Sequence, residues 1–159
     1  MAFMHLNKTR ALILPIIFMG LFLSACSSDD GEVAYQEEPV QQLYNKALAD
    51  LNGERYFEAA RGFDEVERQH PYSVWSSKAQ VMSAFAYYQS NRYDQAILAA
   101  DRFIELHPGN KDVAYAYYLI GISYYEQITG VGRDQKITRQ ALEALERVVR
   151  RFPTTEYAR

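Results

Sequence analysis

Cysteine is nearly absent: Cys26 is the only one in 159 residues. An internal disulfide is excluded, so the redox compartment cannot be read from pairing. Histidine is scarce, and neither His70 nor His107 has a second His, a Cys or a carboxylate cluster at ligand spacing. A metal site is therefore not expected. There is no basic block and the formal net charge is −3, which argues against nucleic acid as the main partner. Long apolar runs are lacking too. The longest, residues 11–23, falls short of the ~18 residues that a membrane-spanning helix needs, and Pro15 and Gly20 interrupt it. No activated Ser or Cys nucleophile, Gly-rich phosphate loop or pair of catalytic carboxylates stands out, so an enzyme is not the leading class and no cofactor is expected.

What is present begins at the N-terminus. Lys8 and Arg10 precede the apolar run, and together they have the shape of a secretory signal. Leu23-Ser24-Ala25-Cys26 follows. Small residues before a cut let the chain enter a peptidase site in extended form. This tetrapeptide resembles the bacterial lipobox. The resemblance implies a signal peptide over residues 1–25, and a thioether-linked diacylglycerol and an N-acyl group on Cys26. One acyl chain binds membranes weakly, at about 10⁴ M⁻¹, whereas two or more anchor stably. Ser27 stands where similar lipoproteins retained in the inner membrane carry Asp. That implies a chain anchored in outer-membrane lipid, on the periplasmic face. Residues 26–38 are polar and acidic and read as an acylated flexible tether.

Residues 39–159 repeat. Tyr56-Phe57-Glu58-Ala59 returns as Tyr93-Asp94-Gln95-Ala96, and His70-Pro71 as His107-Pro108, both 37 residues on. Ala47 maps to Ala84 and then to Gly121 by the same shift. Ala96, Phe103 and Pro108 map to Ala141, Val148 and Pro153 by 45. The difference is an eight-residue insertion in the third unit, around Thr129-Gly130-Val131-Gly132-Arg133-Asp134, where two glycines in a polar run break a helix. Within each unit the spacing is helical. Leu43, Ala47 and Leu51 make one stripe; Phe63, Val66 and Arg68 begin a second that Pro71 stops. Asn52-Gly53 and Ser90-Asn91 supply the turns. Three helix pairs are predicted: 40–52 with 56–70, 74–90 with 93–107, and 112–128 with 138–152. Thr154-Thr155-Glu156-Tyr157 should start a fourth first helix. Ala47, Ala59, Ala84, Ala96, Gly121 and Ala141 fall where paired helices must approach closely.

This period, with small residues in both helices and a closing Pro, resembles the tetratricopeptide repeat. The resemblance implies an all-α, right-handed superhelix (an α-solenoid), of which this chain is the N-terminal part of a longer array. A generic helical bundle would not keep three registered copies with aligned prolines. The run from Ala99 through Asp101-Arg102-Phe103-Ile104 to His107-Pro108, the helix around Ala84-Phe85-Ala86-Tyr87-Tyr88, and the insertion in unit three together resemble the BamD (ComL) family of outer-membrane β-barrel assembly (BAM) lipoproteins. That resemblance implies an adaptor that binds BamA, other BAM lipoproteins and unfolded outer membrane proteins, for their folding and insertion into the outer membrane. In that family the N-terminal repeats are associated with the aromatic C-terminal signal of clients. The competing readings are a periplasmic tetratricopeptide scaffold for cell-envelope or division proteins, and an enzyme whose catalytic module follows the repeats.

In such solenoids the first helix of each pair (helix A) lines the concave face. The predicted groove positions are Gln41, Tyr44, Leu48 and Asn52; Lys78, Val81, Phe85, Tyr88 and Gln89; and Tyr115, Tyr118, Ile122, Tyr125 and Glu126. Tyr44, Phe85, Tyr88, Tyr115, Tyr118 and Tyr125 are the candidate peptide anchors, because amphipathic rings bury much area at low entropy cost. The alternative for each ring is core packing between repeats. His70 and His107 are expected at helix ends, their imidazoles near terminal carbonyls. Asp101-Arg102 and Glu146-Arg147 read as solvated faces or inter-repeat pairs, worth little individually.

Overall fold

The structure, a computed structural model, describes residues 38–128 and 135–159. The signal segment, Cys26, nearly all of the tether and the insertion at 129–134 lie outside the described residues. Those described form six α-helices: α1 (Val40–Asn52), α2 (Tyr56–Gln69), α3 (Val74–Gln89), α4 (Tyr93–Leu106), α5 (Val113–Glu126) and α6 (Gln135–Arg151). A short 3₁₀ turn, Glu156–Ala158, follows. The expected pairs are present. Most ends agree to within two residues, while α6 begins three residues early.

Each second helix stops where Pro dictates. His70 and His107 sit at φ −131° and −132° with ψ 57° and 53°, outside the helical region that is disfavoured for a residue before Pro. Their backbone N–H groups still donate to Val66 and Phe103. The carbonyls of His70, His107 and Phe152 then accept from Ser73, Asn110 and Thr155 at 2.9–3.0 Å, closing the same turn three times. The imidazoles do something other than expected. His70 Nε2 lies 2.6 Å from the carbonyl of Glu38, and the Glu38 N–H donates to the Gln69 side chain, so the entry of the chain is clipped to the end of α2. The His107 ring packs on Phe103 with centroids 5.3 Å apart.

The turn within each of the first two pairs also differs in detail. Glu54 and Asn91, rather than Gly53, take φ +58°. Arg55 N–H bonds Asp50 and Glu54 N–H bonds Leu51; Arg92 to Tyr87 and Asn91 to Tyr88 repeat the pattern. This double bond is the Schellman arrangement, which satisfies the last carbonyls of a helix.

Consecutive helices pack along the chain. In addition α1 meets α3 and α3 meets α5, whereas α2 and α4 come nowhere within 8 Å between Cα atoms. The A helices therefore form the tight side of the array and the second (B) helices splay. Two apolar clusters result. One joins Leu43, Ala47, Phe63, Val66 and Ala79. The other joins Ala100, Phe103, Ala116, Leu119 and Val148. Arg68 is exposed and pairs with Glu65, so it does not belong to the apolar stripe of α2. Ala59, Ala96 and Ala141 are buried as expected. Close approach is enforced at two glycines. A Cβ on Gly121 would stand 2.5 Å from Leu145, and one on Gly62 would stand 2.8 Å from the Ala47 Cβ.

Candidate functional site: the aromatic face of the A helices

The six candidate rings divide into three environments. Tyr44 meets Phe63 edge-on at 5.3 Å and Trp75 at 4.9 Å, and it packs against the first cluster. Burial raises its phenol pKa. It is largely a packing residue of units one and two. Phe85, Tyr88, Tyr115 and Tyr118 are half-buried against the second cluster. Tyr115 and Tyr118 stack at 6.5 Å, and Tyr88 leans on Tyr93 at 5.9 Å. Burial pushes Tyr115 well up, with the neighbouring Tyr157, Tyr118 and Tyr88 adding to it. Burial also raises Tyr88, followed by the nearby Glu126 carboxylate. Four phenols therefore face one another across α3, α5 and the final turn. Tyr125 stands apart, 60% exposed.

Among the other predicted groove positions, Val81 is buried in the second cluster. Gln41, Asn52, Lys78, Gln89 and Glu126 are exposed, and Leu48 and Ile122 are half-buried. Trp75 and Tyr157 were not among them. Tyr157 packs on Tyr115 at 5.2 Å and on Tyr118 at 5.5 Å. The repeat register contains the signal that could have found both. Trp75 maps to Asp112 and then to Tyr157 by the two shifts, while Tyr44 maps to Val81 and then to Tyr118. The Trp75–Tyr44 and Tyr157–Tyr118 contacts are the same contact, made at the first and third junctions between units.

A polar network ties the first two units together behind this face. Asp64 of α2 accepts from Ser83 Oγ at 2.5 Å and from the Tyr87 hydroxyl at 2.6 Å. Burial and then the bond to Asp64 push the Tyr87 phenol up to about 12. Arg102 of α4 reaches Glu67 at 3.3 Å and Asp64 at 4.0 Å. The Asp101-Arg102 pair thus supplies an inter-repeat contact through its arginine. The corresponding set one unit on, Asp101, Tyr124 and Arg147, is looser. Ile120 replaces Ser83 there. Burial raises Asp101, with Glu105 adding and Arg147 opposing.

No group of three His, Cys, Asp or Glu suits a metal among the described residues. No helix among them is long and apolar enough to cross a membrane. Fold and face together define a tetratricopeptide-like helical repeat array that presents aromatic side chains on its A helices.

The sequence comparisons narrow that class. The model of the YfiO family, described as outer membrane lipoprotein, matches residues 36–159, and the chain belongs to that family. It is 51% identical over 126 residues to the outer membrane protein assembly factor BamD of Caulobacter vibrioides, covering 79% of this chain and 41% of that protein. It is 35% identical over 153 residues to the protein of the same name from Rickettsia prowazekii, covering 95% and 60%. For that of Neisseria meningitidis serogroup B the identity is 32% over 161 residues, covering 92% and 60%. The chain thus spans about half the length of these relatives.

Proposed function

We propose that this chain is a lipid-anchored adaptor of outer membrane protein assembly, which binds unfolded outer membrane proteins through the A-helix aromatics and docks to BamA and other BAM lipoproteins. The observation that carries this reading is its identity to assembly factors across nearly all of the repeat region. The geometry supports it. Phe85, Tyr88, Tyr115 and Tyr118 are half-buried, held by the fold yet reachable from one side. Such rings gain area at little entropic cost when an apolar tip lies against them. A gain of about 1.5–3 kcal/mol per ring before ordering costs suits weak, releasable capture.

The proposed organisation is a signal peptide over residues 1–25, an acylated tether over 26–38 and repeats over 39–159. With two or more acyl chains on Cys26 the repeats stay at the membrane. The experiment combines both halves. Full-length tagged protein, extracted from membranes in detergent, should bring BamA with it, and a clickable palmitate should label the parent but not Cys26→Ser. Extraction without BamA would refute the docking role. Equal labelling of Cys26→Ser would refute the lipid site.

A further inference from the structure

The chain enters the repeats beside a turn unlike the others. Both main-chain groups of Glu38 are held by side chains at the end of α2. Its N–H donates to Gln69 Oε1 at 3.0 Å, and its carbonyl lies 2.6 Å from His70 Nε2. The segment that leads back to Cys26 is thus fixed next to the turn between α2 and α3. In that turn Tyr72 is 100% exposed and Val74 is 77% exposed. At full exposure the Tyr72 ring takes no part in packing.

The repeat supplies an internal comparison. Tyr72 becomes Gly109 and then Thr154 by the two shifts, and Val74 becomes Lys111 and then Glu156. All four equivalents are exposed, and the three turns close on the same hydrogen bond. The turn therefore forms as well with a polar tip, and its geometry does not require Tyr72 or Val74. At the second turn the exposed apolar residue is Leu106, the last of α4, and the tip beyond it is Gly109-Asn110-Lys111. Short turns make neighbouring helices antiparallel, so the three turns lie along one edge of the array. The apolar tip stands where Glu38 is clipped.

Charge around this tip is nearly balanced. From Gln69 to Ser77 the chain carries no acid or base other than His70. At its borders Arg68 pairs with Glu65, Lys78 lies 5.1 Å from the centroid of the Trp75 ring, and Glu38 is exposed. Lys78 and Glu38 offset each other in sign. Such a tip selects neither a cationic nor an anionic partner. It fits the membrane interface, where Tyr is enriched because an amphipathic ring lies at headgroup level. The chain length allows that contact. Twelve residue steps separate Cys26 from Glu38, and they reach at most about 40 Å. An acylated Cys26 therefore keeps this turn near lipid, and a contact too weak to bind alone is populated when a linker holds it at high local concentration.

We propose that the α2–α3 turn rests in the interface of the membrane that carries the anchor, with Tyr72 and Val74 at headgroup depth. This rests on the lipid-anchor reading of Cys26. Full-length acylated protein is reconstituted in phosphatidylcholine vesicles with plain or dibrominated acyl chains, and indole emission is read. Trp75 is the only native Trp and gives a common signal. Tyr72→Trp adds a reporter at the tip and Thr154→Trp adds one at the third turn, both at exposed positions. The emission added by Tyr72→Trp should fall about twofold or more in brominated vesicles, because an interfacial side chain sits about 5–10 Å into the headgroup and acyl boundary. The emission added by Thr154→Trp should not change. Adding phosphatidylglycerol should leave both results as they are, since the tip is uncharged. Failure of the protein to float with the vesicles would overturn the lipid anchor and this proposal together. Flotation with equal quenching at 72 and 154, or quenching at 72 only with phosphatidylglycerol present, would overturn the proposal while the anchor stands.

Discussion

Phe103→Ala is expected to destabilise the repeats by about 3–5 kcal/mol. The ring is 0% exposed, at the centre of the second apolar cluster. It occupies the place that Val66 takes one unit earlier and Val148 one unit later. It is therefore the largest side chain at a position every unit uses to pack its two helices together. Truncation removes the transfer free energy of the ring and leaves a cavity that the flanking helices cannot close without breaking their own contacts. The loss is a large part of the 5–15 kcal/mol that typically stabilises a domain. Leu98→Ala, on the same helix but 69% exposed, should stay within about 0.5 kcal/mol of the parent. Urea unfolding followed by circular dichroism compares the two. A loss below about 1 kcal/mol for Phe103→Ala would contradict the packing described.

Asp64→Ala is expected to cost about 2–3 kcal/mol, because it orphans two hydroxyls at once. Ser83 is fully buried, so its Oγ would find no water in place of the carboxylate. The Tyr87 hydroxyl would lose the acceptor that sits 2.6 Å away. Asp64→Asn keeps one acceptor and should cost less. Coupling is the sharper test. Ser83→Ala should destabilise the parent but be nearly neutral in the Asp64→Ala background, since its partner has already gone. Fully additive losses would mean that the two residues do not act as a pair. Asp101→Ala should cost under about 1 kcal/mol, because the described residues show no hydrogen bond from Tyr124 to Asp101, so no buried hydroxyl is orphaned.

Much of the fold was legible because the strongest local signals recur in register. Pro71, Pro108 and Pro153 end three helices by the same geometry, and Ala59, Ala96 and Ala141 mark the same close approach. Less local features were not legible. The stripe of α1 shows that Leu43 and Ala47 face inward, but not that Trp75 from the next unit covers Tyr44. Exposure of a ring at the A-helix face is decided by the first turn of the following unit, so Tyr44 is packed while Tyr125 is open. The sequence places Tyr157 in the start of a new helix, whereas it lies in a 3₁₀ turn and packs on Tyr115 and Tyr118. Glu54 in the left-handed region runs against its own preference, and the Schellman bonds of Arg55 and Glu54 override it. The hollow beside Phe57 is not legible for a related reason: its lining comes from three helices, with Phe57, Tyr87 and Gln95 far apart in sequence.

The capture of clients by the A-helix aromatics is tested most directly by one paired measurement on Phe85→Ala with Tyr88→Ala. Anisotropy reports binding of a labelled peptide corresponding to the aromatic C-terminal end of an outer membrane protein. Circular dichroism on the same samples reports the folded fraction. If these rings hold the client, affinity per folded molecule falls by about tenfold or more while helicity is kept. Affinity unchanged in a well-folded double variant, or falling only in step with lost helicity, would contradict client capture at these two rings.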